Sequence, residues 1–85
     1  MTVAHRLEMV ISKLKTVPPL LVEFEIDRYM AARTTSWIMR EGARGVSHRL
    51  RDGSPDPAVA PYWIWVELAV AQYLLSRVGP PGEMS

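Results

Sequence analysis

The segment from Pro61 to Val78 reads PYWIWVELAVAQYLLSRV and is bounded by Pro61 on one side and Gly79-Pro80-Pro81 on the other. Proline suits the first turn of a helix, and glycine followed by proline ends one. The spacing predicts a helix over 61–78 that is apolar almost all the way round. Such a helix needs cover on most sides, so it belongs in the middle of a bundle or between subunits. Only Trp65, Ala69, Gln72 and Ser76 mark a narrow face of smaller or more polar character, with Glu67 and Arg77 outside it. The segment is too short, and too interrupted by Glu67, Gln72 and Arg77, for a transmembrane span.

The rest of the chain has to supply that cover, and there is little of it. The 85 residues suffice for a single domain and bury a smaller fraction of their surface than a typical domain does. Hydrophobic residues make up 48% of the chain, which excludes wholesale disorder. So much apolar material in so short a chain implies burial against a partner, and a second copy, as in a homodimer, is the simplest one.

The first segment predicts a helix over 3–17, with Thr2 as N-cap. Val3, Leu7, Val10, Leu14 and Val17 alternate steps of four and three, and Ile11 widens the stripe. Arg6, Glu8, Ser12, Lys13 and Lys15 fall elsewhere and face water. Pro18-Pro19 closes this segment.

A middle helix is predicted over 20–41, in two apolar zones. Leu20, Phe24, Ala31, Thr35 and Ile38 form one, and Val22, Ile26, Tyr29, Met30 and Trp37 the other, which would bury the helix on two sides. The alternation Val22-Glu23-Phe24-Glu25-Ile26 also fits a short strand at 22–26, but it has no second strand to pair with. Gly42 and Gly45 each cost about 1 kcal/mol in a helix interior, so a bend or break is expected there, with a short helical piece to Leu50. A loop over 51–60 and a disordered tail over 80–85 complete the reading: an all-α, compact three- to four-helix domain.

Chemistry is sparse. The absence of cysteine removes disulfides, thiolate metal sites and thiol nucleophiles, and favours a cytoplasmic location. The N-terminal MTVAHRLEMVISKLK lacks the unbroken apolar run of a signal peptide. Of the two histidines, His5 shares a helical face with Glu8, and two ligands near a helix end make a poor metal site. His48 has no assigned carboxylate partner. Glu23 and Asp27 stand four apart, beside Glu25 and Arg28, in what reads as a solvated charged patch. No phosphate-cradling glycine loop or Gly-x-Ser-x-Gly turn occurs. No enzyme and no cofactor or metal is implied, although an unrecognised small enzyme stays open as an alternative.

A net charge of +1 gives no global field to attract nucleic acid. Locally, Arg33, Arg40, Arg44 and Arg51 would share one face if a single helix ran through the glycines, and Arg49 adds to that basic stretch. Gly45-Val46-Ser47 resembles the turn of a helix-turn-helix, but Glu41 and Arg51 occupy positions where that motif needs a small and an aliphatic residue. A nucleic-acid-associated regulator is the alternative reading. The favoured one is a protein–protein interaction module, with Trp65, Ala69, Gln72 and Ser76 as contact residues and Trp63 in the core. Tryptophan is enriched at interface hot spots, although Trp65 covering the loop 52–60 is an equal alternative. In size and style the chain is similar to accessory proteins of phages and mobile elements, an analogy without a motif.

Overall fold

The computed structural model describes residues 2–33, 36–52 and 61–79. These form four helices, α1 (Val3–Leu14), α2 (Pro19–Arg33), α3 (Trp37–Asp52) and α4 (Pro61–Val78), with no strand among the described residues. The all-α class is therefore the one the chain adopts. The stretch Val22–Ile26 is helical: Val22, Glu25 and Ile26 turn inward at helical spacing, and Glu23 and Phe24 turn out.

Thr2 caps α1, its Oγ1 accepting the amide of His5 at 3.1 Å. Leu7, Ile11 and Leu14 are buried, while Val3 and Val10 pack against them from the margin. The helix stops at Leu14, short of the expected Val17, because a residue before proline is disfavoured in the helical region. Val17 nevertheless stays buried, held by its amide bond to the Leu14 carbonyl. The Pro18 carbonyl then accepts the amides of Leu21 and Val22 and opens α2, with Pro19 at its first position.

The expected helix over 20–41 is two helices. The interruption falls between Arg33 and Trp37, not at the glycines. Ser36 stands immediately before α3, where a hydroxyl side chain is favoured over a helix interior; Thr34 and Thr35 lie outside the described residues. Ser36 precedes α3 and accepts the amide of Arg40 through its carbonyl at 3.2 Å. Gly42 and Gly45 lie inside α3 and face α4. A Cβ on Gly42 would stand 2.5 Å from Cγ1 of Val66, and one on Gly45 would stand 2.9 Å from the Glu67 carboxyl carbon. Both glycines therefore permit close approach of the two helices and do not break α3.

The two-sided burial expected for the middle segment is not found. Val22, Ile26 and Tyr29 enter the core, whereas Leu20, Phe24 and Ala31 are exposed. Helix α4 touches all three others, most extensively α1. Tyr29 meets Tyr73 with ring centroids 5.1 Å apart, and Glu25 lies near Arg77, so α2 runs against α4. Helices α3 and α4 begin side by side, with Trp37 edge-on to Trp63 at 5.6 Å. No helix is long and apolar enough to cross a membrane, among the described residues. Residues 51 and 52 of the expected loop 51–60 are helical, since α3 continues to Asp52, and the rest of that expectation lies outside the described residues, as does the tail 80–85.

Candidate functional site

Helix α4 buries Glu67, Leu68, Val70, Ala71 and Leu74 and leaves the opposite side of its circumference uncovered. Trp65, Ala69, Gln72 and Ser76 are all exposed, and Tyr62 extends the same stripe by one turn. The steps along it are three, four, three and four, the spacing of a face that receives a second helix. Trp65 is 58% exposed and stands in the N-terminal half of the stripe. Ser76 Oγ donates to the Tyr73 carbonyl at 2.6 Å, a local bond that leaves the surface there small. Whether Trp65 meets residues 53–60 lies outside the described residues.

An aromatic corner adjoins the start of the stripe. Tyr62 and Trp63 are tilted together with centroids 4.7 Å apart, and Trp37 meets the far side of Trp63. Trp63, expected in the core, is instead half-buried within this corner. Trp37, Ile38 and Tyr62 are exposed beside it. On the α1 side the stripe borders a shallow groove of about 150 Å³ lined by Arg6, Met9, Val10, Lys13 and Gln72. On the α2 side Arg33 stands over the Tyr73 ring, 4.7 Å from its centroid. Tyr29 lies beneath this pair. Burial pushes its phenol above the ordinary tyrosine value, an effect opposed by the Arg33 charge and reinforced by Tyr73.

A second exposed apolar surface comprises Leu20, Leu21 and Phe24 on α2, above a groove of about 580 Å³ that reaches Val17 and Val78. Sequence reasoning assigned Leu20 and Phe24 to a buried zone and did not place Leu21, and the exposure of this surface is the part it missed. The surface is broken by charge, because Glu23 and Asp27 are exposed near it and the Arg28 guanidinium covers Phe24 at 5.8 Å.

The arginines do not form the face that a continuous helix would make. Arg33 belongs to α2 and is stacked on Tyr73, away from the α3 row. Arg40, Arg44 and Arg51 remain exposed on α3, yet Arg44 pairs with Glu41 at 2.6 Å. His48, for which no carboxylate was identified, sits 2.9 Å from Asp52 on the same helix. Arg49 is 5% exposed and turned into the core, so it cannot reach a phosphate. Gly45-Val46-Ser47 lies within α3, so no helix-turn-helix turn is present there.

Two acidic residues also differ from their expected surroundings. Glu67 is buried on Arg49, and Glu25 is buried between Arg28 and Arg77 at 3.5 Å each, not part of a solvated patch. Glu8 pairs with Arg49 at 2.8 Å. Every buried side-chain nitrogen and oxygen among the described residues has a hydrogen-bond partner, so the core presents no orphaned group to a ligand. No cluster of three or more His, Asp or Glu is placed to hold a metal ion, among the described residues. Comparison with protein-family models, curated proteins and solved structures finds no match to this chain.

Proposed function

We propose that the protein is a small helical protein–protein interaction module whose contact surface is the exposed stripe of α4. One observation carries this reading: the most apolar helix of the chain keeps the whole line Tyr62, Trp65, Ala69, Gln72 and Ser76 outside its own bundle. Single exposed apolar residues are ordinary on a folded surface, but a tryptophan at the head of a helix-length stripe with small residues behind it is the composition of an interface. Ala69 and Ser76 permit close approach of a partner backbone, and Trp65 supplies the large anchor. The α2 surface is a weaker candidate because charges interrupt it. On size alone a second copy, as in a homodimer in the cytoplasm, is the simplest occupant of the stripe; the cations that border the stripe weigh against that copy.

Two substitutions test this. Trp65→Ala removes the anchor and Ala69→Lys blocks close approach, and both side chains are exposed, so neither should disturb the bundle. Association through α4, of two copies by light scattering or with an added helix by titration, should weaken by about 2 kcal/mol in Trp65→Ala, with an unchanged helical circular dichroism spectrum. Association that neither substitution alters would remove α4 as the contact surface. Unfolding of Trp65→Ala would place Trp65 in the core.

The nucleic-acid reading keeps three exposed guanidinium groups, those of Arg40, Arg44 and Arg51, of which Arg44 is paired with Glu41. It ranks second.

A further inference from the structure

Resting on the reading of α4 as a contact surface, we infer that the occupant of the stripe is an acidic amphipathic helix of another protein. The stripe from Tyr62 to Ser76 runs about 21 Å at the helical rise, the length of a four-turn helix. Its alternation of three and four steps presents a row of holes that i, i+3, i+4 side chains of such a helix enter.

Charge specifies the flanks of the incoming helix. Arg6 and Lys13 are exposed and line the groove that meets the stripe at Gln72. Arg33, over the Tyr73 ring, borders the other side. The described carboxylates are placed elsewhere. Glu8 is turned to Arg49, Glu25 and Glu67 are buried, Glu23 and Asp27 project from α2, and Glu41 and Asp52 belong to α3. A stripe with an aromatic head, small residues behind it and cations on both borders is complementary to a helix carrying acidic residues beside a short apolar row.

The same charges act against the two competing occupants. A second copy on a two-fold axis would face a cationic border with another cationic border. An anionic bilayer would satisfy the charges but needs apolar depth along the whole stripe, and Gln72 and Ser76 occupy its C-terminal half.

The test uses two synthetic four-turn peptides with the same leucine stripe, one flanked by glutamate and one by lysine. Each is titrated into the isotope-labelled full chain and followed by amide chemical shifts at about 0.1 M salt. The glutamate peptide is expected to shift amides of residues 6–13 and 65–76 and to bind at least about tenfold tighter than the lysine peptide. That gap should close in the double variant Arg6→Glu, Lys13→Glu. Equal affinity for both peptides, no binding of the glutamate peptide, or shifts confined to Leu20–Phe24 would overturn the inference. Saturable binding of phosphatidylserine vesicles through residues 65–76 would overturn it in favour of a lipid surface. A wild-type dimer that Trp65→Ala converts to monomer would leave the contact-surface reading standing and overturn this occupant. If neither the peptides nor a second copy engages α4, both fall.

Discussion

Nε of Arg49 donates to Oε2 of Glu67 at 2.6 Å inside the bundle, where the two residues are 5% and 4% exposed. Nη1 of the same guanidinium continues to Oε1 of Glu8 on the half-exposed flank of α1, at 2.8 Å, so one side chain ties α3 to both α4 and α1. Two charges removed from water are stable there only as a pair, because either one alone keeps its desolvation cost without its partner.

Arg49→Met, which leaves Glu67 buried without its partner, should therefore lower the stability of the bundle by about 3–5 kcal/mol, and Glu67→Gln by less, because Arg49 keeps Glu8. Urea denaturation followed by circular dichroism measures both. The double variant Arg49→Met, Glu67→Leu should lose less than either single change, since it removes both charges and keeps apolar volume. Glu8→Gln should cost less than either single core substitution, because Glu8 keeps its access to water.

Gly42→Ala should destabilise the chain although alanine is the better helix former. The added methyl would stand 2.5 Å from Val66 Cγ1 and 3.2 Å from Val70 Cγ2, and a β-branched side chain in a helix has little rotamer freedom to withdraw. Overpacking of this kind costs about 1–3 kcal/mol, more than the gain of about 1 kcal/mol in helix propensity. A raised melting temperature in Gly42→Ala would contradict the close crossing of α3 and α4.

These two sites show how much was legible. The stripe of α1, the apolar character of α4 and the exposure of Trp65, Ala69, Gln72 and Ser76 follow from spacing within one helix, and spacing is what a sequence displays. The role of Gly42 and Gly45 does not, because a glycine that breaks a helix and one that admits a neighbour look alike until the neighbour is known. Arg49 sits among other arginines in the sequence, and only the approach of α4 separates it from them by supplying Glu67. The start of α3 was available in Ser36, and the apolar residues on both sides obscured it.

Stability should fall at alkaline pH through Tyr29. Its phenol is raised above 10.0 in the folded chain, mainly by burial, so the unfolded chain releases that proton first. The contribution is fully present below the unfolded value of about 10 and is lost as pH rises through the folded one. Denaturation midpoints measured on either side of pH 10 should show the decline, and Tyr29→Phe should flatten it. An identical alkaline decline in Tyr29→Phe would assign the effect to other groups.

Random-sequence duplex DNA should not bind tightly at physiological salt. The net charge is +1, and Arg49, one of the arginines of the basic stretch, is committed to the core. Fluorescence anisotropy with a labelled duplex gives the measurement. Sub-micromolar binding that is lost on joint replacement of Arg40, Arg44 and Arg51 would promote the nucleic-acid reading.

The broad interface between α1 and α4 joins the first and fourth helices among the described residues. On the ribosome, Leu7, Ile11 and Leu14 emerge long before Leu68, Ala71 and Leu74, which complete the core with them. Until then the residues up to Asp52 lack the cover that α4 gives this apolar row, although α3 also meets α1, and the glutamate that neutralises Arg49 inside the core arrives with α4. Completion of this core therefore waits for α4, and a nascent chain halted between α3 and α4 should be more readily bound by chaperones and cut by proteases than the full chain.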